Sequence, residues 1–274
     1  MRRLGAQAGV LPSEPANPKP QVWWDDVLPR ALLDASSASD GRWQAIVVDE
    51  GQDFAADWLE TLDLLTSDPG KDVFYLFHDP AQAIFRPDVT DRLGLTEYEL
   101  PDNCRNARPI HEFAFRFYRG SLAPVPLRED GRSPEVVVAE PGPATLEALR
   151  DVLHRLVVDE RVARDKITVL SGASLEHSAV WRQRRFKGGL ELWNGSVDAE
   201  GRSLGLAADA SPRQPPGTIR CETIRRFKGL EADVVVLVEL PPDDERLDLL
   251  LYIGISRAKH HVILIAPPAV ARRL

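Results

Sequence analysis

Residues 46–53 read IVVDEGQD: three β-branched residues, Ile46, Val47 and Val48, end abruptly on the adjacent carboxylates Asp49 and Glu50. The apolar run predicts a buried strand. In an open α/β sheet the crevice beyond the carboxyl ends of the strands is where ligands bind. Two acids placed there suit a phosphoryl-transfer site, one carboxylate holding Mg²⁺ and the other orienting the attacking water. The same pair also suits a solvated strand end or the N-cap of the next helix, and the eight letters alone leave both readings open.

Working outward, FAADWLETLDLLTS (54–67) repeats Phe54, Trp58, Leu62 and Leu65 on one helical face, and VFYLFHD (73–79) is a second apolar run ending in an acid. Strand, helix, strand is a βαβ crossover, the unit of a parallel sheet. The pattern recurs downstream. EVVVAE (135–140), KITVLSG (166–172), TIRCETI (218–224), DVVVLVEL (233–240) and HVILIA (261–266) read as strands; ATLEALRDVLHRLVVDE (144–160) and RLDLLLYIGISRAK (246–259) read as helices. A short strand is predicted at 97–100 and a helix opened by Pro109, while 186–217, rich in Gly and Pro, reads as loops with one hairpin at most. Upstream, Trp23, Val27, Leu28, Ala31 and Leu32 have helical spacing that Pro29 interrupts. The fold class is α/β.

Composition narrows the rest. With 274 residues, 43% of them hydrophobic, the chain can bury a core of one large or two ordinary domains. A net charge of -8 argues against a surface that is basic all over, yet it allows a local basic groove. Cys104 and Cys221 have neither disulfide nor zinc-ligand spacing, which fits a reducing cytoplasm. No run approaches the roughly 20 apolar residues of a membrane span, so no membrane partner is expected. Residues 1–21, with four prolines, read as an exposed lead-in.

Polar clusters recur at loop positions between the apolar elements: Asp49, Glu50, Gln52 and Asp53; Asp79 and Gln82 in HDPAQAIF; Asn103 and Arg105 in DNCRN; Lys228, Gly229 and Glu231 in RRFKGLEADVV; Ser256 and Arg257 in YIGISRAK. In this order the clusters resemble the motifs of superfamily I helicases of the UvrD/Rep type, over roughly residues 22–266. The resemblance implies two RecA-like P-loop NTPase domains, the first (22–100) truncated and the second (101–274) nearly whole, with ATP and Mg²⁺ as cofactors. It also implies the roles. Asp49 would hold Mg²⁺ and Glu50 would polarise the hydrolytic water. Gln52 and Asp53 would relay contacts to the nucleotide, and Gln82, supported by Asp79, would sense the γ-phosphate. Arg105 and Arg257 would be arginine fingers, Glu231 would take the ribose hydroxyls with Lys228 and Gly229 shaping its loop, and Phe85 would stack on a base of single-stranded DNA, or RNA in its place.

The sequence departs from the family pattern at Gly51, His78, Pro87, Cys104 and Arg225. It also contains no G-x-x-x-x-G-K-[ST], since Gly70-Lys71 is followed by Asp72 and lies after the acid-tipped strand. The backbone cradle for the phosphates is therefore expected from an upstream segment or another chain, and the polypeptide alone is expected to be a poor ATPase. The alternative is a hydrolysis-dead module, derived from a helicase, that binds nucleic acid or protein.

Overall fold

The computed structural model describes residues 22–38, 43–68, 71–82, 94–120, 124–204 and 212–274. The lead-in (1–21) and Phe85 lie outside these described residues. The chain forms two compact units, Met1–Tyr98 and Glu99–Leu274.

In the first unit, strands β1 (Ala45–Val48) and β2 (Val73–Leu76) pair in parallel, Val47 opposite Tyr75 and Val48 opposite Leu76. Helix α1 (Leu28–Ala38) precedes them and α2 (Ala56–Asp63) makes the crossover. Pro29 does not break α1. It follows closely on a wider π turn, Trp23–Val27, closed by Leu28 N–H on the Trp23 carbonyl, and this local change of bonding accommodates a residue without an N–H inside the helical run. Of the expected inner face Phe54, Trp58, Leu62 and Leu65, Leu65 is fully buried, as is Leu59 beside it, whereas Phe54, Trp58 and Leu62 are only half-buried. The expectation of two buried strands is corrected too: Val47 is 62% and Tyr75 60% exposed. In β1 and β2 only alternate residues turn inward, so an apolar run here marks a strand with one covered face.

The second unit is built on a seven-stranded sheet in the order β5-β11-β10-β6-β9-β8-β7. Its strands are β5 (Glu135–Val138), β6 (Ile167–Ser171), β7 (Arg185–Phe186), β8 (Leu190–Trp193), β9 (Ile219–Thr223), β10 (Ala232–Val238) and β11 (Ala258–Ala266). All pairings are parallel except the β7–β8 hairpin, which turns at Gly188 and Gly189, both at positive φ. Central strands β6 and β10 are buried on both faces, which explains their unbroken apolar sequences. Leu149, Val152 and Leu153 of α4 (Pro143–His154) join one core cluster with Val169 and Val236. Helix α6 (Leu247–Ile255), which follows the short α5 (Ala179–Arg182), is apolar nearly all round because it packs on both the sheet and α3 (Arg108–Phe115).

Beside this sheet lies a two-stranded parallel ribbon, β3 (Asp102–Ala107) with β4 (Val125–Arg128). The strand expected at 97–100 is displaced: residues 94–100 have no regular structure and are exposed, and the strand begins after Pro101. No helix among the described residues is long and apolar enough to cross a membrane.

Two buried histidines tie this fold to pH. Asn103 accepts the N–H groups of Arg105 and Asn106 on Oδ1, so its Nδ2 is the donor that faces His111 Nδ1 at 2.8 Å. His111 is thereby fixed as the neutral Nε2–H tautomer. Burial pushes the imidazoles of both His111 and His261 below their ordinary range, and the buried His261 Nδ1 has no hydrogen-bond partner among the described residues. Since the unfolded chain takes up these protons first, stability is full above about pH 6.5 and falls as the solution is acidified below it. The carboxyls of Glu129, Asp130, Asp198 and Glu231 are held below their usual range, so their stabilisation is fully present at neutral pH and is lost only on acidification through the carboxylate range, below the histidine window. We expect the urea midpoint to drop between pH 7 and pH 5, and His261→Leu to reduce that drop. Parallel curves for the two proteins would contradict the assignment.

Candidate functional site

Each unit gathers its own set of the singled-out residues. In the first, β1 delivers the chain to Asp49, which is exposed and accepts the Glu50 N–H on Oδ1 at 2.9 Å. Glu50 is left-handed, with φ 54° and ψ 42°, and a 3-10 turn over Gly51–Asp53 follows. Gly51 N–H donates to the Phe77 carbonyl at 2.9 Å and so ties the ends of β1 and β2 together. A Cβ on Gly51 would fall 2.3 Å from Leu76 Cδ1, so alanine at this position would require Leu76 to take another rotamer.

From Glu50 a chain of hydrogen bonds crosses to the second strand. Gln52, 1% exposed, donates Nε2 to Glu50 Oε2 at 2.7 Å and accepts the Asp79 N–H on Oε1 at 3.0 Å. Asp79 in turn accepts the Ala81 N–H at 3.0 Å and Gln82 Nε2 at 2.6 Å. Glu50, Gln52, Asp79 and Gln82 are thus one connected set, and Asp53 closes the turn through its N–H on the Glu50 carbonyl at 3.0 Å. The described residues contain no group of three or more His, Cys, Asp or Glu side chains able to hold a metal. A single exposed carboxylate such as Asp49 fits Mg²⁺, which keeps several waters and completes its shell with substrate phosphates.

In the second unit, Arg105 Nε donates to Glu231 Oε2 at 3.1 Å, across 126 positions of sequence. Lys259 pairs with the other oxygen, Glu231 Oε1. The Lys259 hydrogen bond foremost, and Arg105 after it, hold the Glu231 carboxyl below the usual carboxylate range. These three half-exposed charges stand where β10 and β11 begin, beyond the turn 224–229 that contains Lys228 and ends on Gly229 at φ 78°.

The two expected arginine fingers differ. Arg105 is partly open, with 38% of its side chain exposed. Arg257 is 1% exposed and turned into its own unit, where Nε donates to the Ile253 carbonyl at 3.1 Å and Nη2 to Ser256 Oγ at 3.0 Å. It follows the last turn of α6, where a cation answers the carbonyls left unpaired at a helix end. Sequence reasoning missed Asn106, whose buried Nδ2 donates to the carbonyls of Ser256 (2.9 Å) and Ala258 (2.6 Å), and it missed Lys259. Lys259 ends the YIGISRAK string and was within reach; nothing in the sequence singles out Asn106 from the asparagine beside Cys104.

Residues 218–265 match the family model of the UvrD-like helicase C-terminal domain. The chain carries a UvrD-like helicase segment. Two solved structures are similar to it. One is the C-terminal domain of a possible DNA helicase from Lactobacillus plantarum WCFS1, with 22% identity, a TM-score of 0.44, and coverage of 63% of this chain and 94% of that one. The other is the PRRSV helicase, with 14% identity, a TM-score of 0.41, and coverage of 83% of this chain and 36% of that one. No curated protein matches the chain. The UvrD-like segment includes Lys228, Gly229, Glu231, Arg257 and Lys259, whereas Arg105 and Asn106 reach it from β3.

These placements predict opposite outcomes for the two arginines. Arg257→Ala empties a buried volume and removes one of the two side-chain donors to the Ile253 carbonyl, the other being Ser256 Oγ at 2.9 Å, and with the lost packing this costs about 2–4 kcal/mol. Arg105→Ala breaks one half-exposed ion pair, worth about 1 kcal/mol or less. Urea denaturation of both variants checks the contrast, and equal midpoints would refute it.

Proposed function

We propose that the chain is the C-terminal portion of an ATP-dependent helicase or translocase of the UvrD type, acting with single-stranded DNA, and that this polypeptide by itself binds Mg²⁺-nucleotide weakly without turning it over. The observation that carries the reading is the meeting of Arg105 with Glu231 inside a unit whose residues 218–265 match the helicase family.

Each group has chemistry suited to its role. Arg105 offers a guanidinium whose donors match phosphate oxygens, as a transferred γ-phosphoryl group requires. Glu231, kept ionised by Lys259 and Arg105, is an acceptor for ribose hydroxyls. On the first unit, Asp49 would hold Mg²⁺, which when bound neutralises phosphate charge. Glu50, oriented by Gln52, would accept a proton from water, and Gln82, oriented by Asp79, would donate to a phosphate oxygen. The sequence lacks the glycine-rich loop that would cradle the β- and γ-phosphates, and positioning is the larger part of phosphoryl-transfer catalysis. The burial of Arg257 favours a second reading, a hydrolysis-dead module, because one of the two cationic groups is committed to holding its own fold.

Fluorescent-nucleotide anisotropy and phosphate release, each with and without single-stranded DNA, test the proposal. We expect weak Mg²⁺-dependent nucleotide binding, lowered about tenfold by Arg105→Ala. Phosphate release should match that of Glu50→Gln. Turnover above the Glu50→Gln control would overturn the inactivity of the polypeptide. Identical nucleotide affinity in wild type and Arg105→Ala would remove the nucleotide site and leave the binding module.

A further inference from the structure

Strand β5 stands at one end of the seven-stranded sheet and, among the described residues, pairs only with β11. The direction of its backbone groups follows from one hydrogen bond: Ala139 N–H donates to the Ala266 carbonyl at 3.0 Å. In a parallel ladder each residue points its N–H and its C=O to the same neighbour and successive residues alternate, so Val137 and Ala139 face β11. Val136 and Val138 therefore turn theirs to the open edge. The side chains of these two valines are also exposed, at 37% and 59%. Natural edges are usually guarded by lysine, proline or a bulge, and the sequence of β5, EVVV, has no such guard.

Along this edge runs an open groove of ≈ 560 Å³ between β5 and α4. Ala144 and Ala148 keep the helix wall low, and Glu135, Glu140, Glu147 and Asp151 line the groove against one cation, Arg155. Arg155 is itself engaged by both oxygens of Glu135, at 2.8 and 2.7 Å. Arg150, on the outer side of α4, pairs with Asp151 and Glu147, which still leaves more acids than bases along the groove. An incoming phosphate backbone would meet like charge here. A strand carrying lysine or arginine would meet opposite charge, together with backbone partners in register.

We propose that the open edge of β5 takes a basic, extended polypeptide segment as an added strand. Main-chain hydrogen bonds to Val136 and Val138 supply the pairing, and the carboxylates of the β5–α4 groove select the positive charge. The site is separate from the Arg105–Glu231 cluster and stands whether or not that cluster binds nucleotide.

The probe is a short fluorescent peptide of alternating lysine and valine, titrated against the full chain by anisotropy. The same peptide N-methylated at every backbone amide has the same charge but offers no N–H along either edge. We expect saturable binding of the unmodified peptide, weakened about tenfold by methylation and also by Val136→Pro, which removes a donor that faces away from β11. Glu147→Lys with Asp151→Lys should weaken binding and reduce its salt dependence. A glutamate–valine peptide should not bind. Absence of saturable binding, or equal binding of the methylated and unmodified peptides, overturns the proposal, and the methylation comparison needs no folded variant.

Discussion

The second unit depends on the buried amide of Asn106. Its Nδ2 is shared between the carbonyls of Ser256 and Ala258, and its Oδ1 accepts from Asn103 at 3.0 Å. Those carbonyls stand where the chain passes from the end of α6 into Ala258, the first residue of β11, and the Asn106 amide gives each a donor. Left without one, each would cost about 1–3 kcal/mol. The amide therefore docks β3 against the end of α6, and the neighbouring residues follow from that docking. Arg105, one position earlier, reaches Glu231; Arg257, between the two bonded carbonyls, turns inward; and Lys259 arrives beside Glu231 from the other side.

The sheet was legible where hydrophobicity alone decides a strand. TVL in β6, VVVLV in β10 and VILIA in β11 are buried on both faces, and an unbroken apolar run has no better place. The same rule over-reads β1 and β2, because a run of β-branched residues also suits a strand with one bare face. It under-reads β3, whose sequence DNCRNA offers nothing that β-propensity rewards. This strand forms because β4 lies beside it and Asn103 caps its own neighbours' N–H groups, a long-range partner and a side-chain geometry that no local pattern displays. Helix α3 was legible for a local reason: Pro109 belongs at a helix start, where its missing donor is not needed.

Of the candidate site, residue type and order were legible and direction was not. Glu50, Gln52, Asp79 and Gln82 were singled out as separate strings, yet their connection runs through the two ends of the Gln52 amide, which the letters cannot express. The arginines make the point more sharply. Both precede or follow apolar stretches, both were assigned the same role, and burial separates them: one is an ion pair at the rim of a strand, the other a cap inside a helix end.

Two glutamates at the carboxyl ends of parallel strands share a further property that sequence conceals. Glu50 after β1 and Glu239 after β10 both take left-handed backbone angles, with φ of 54° and 53°, which cost a residue with a Cβ on the order of 1 kcal/mol or more. Glycine would avoid that cost. Gly51, the nearest glycine to Glu50, stands instead where Leu76 leaves no space for a Cβ, so steric room and conformational freedom are served by different residues. For Glu239 the compensation is plain. Its carboxylate accepts from Ser171, Ser178 and the N–H groups of Ala179 and Val180, and so caps the short helix Ala179–Arg182. Glu50 caps no helix with its side chain; the left-handed turn folds it back onto Gln52, into the chain of bonds that ends at Gln82. In both units the strained turn holds a carboxylate across a strand end, in one case onto a helix start and in the other onto polar side chains whose neighbouring loop is continuous with the strand beside it.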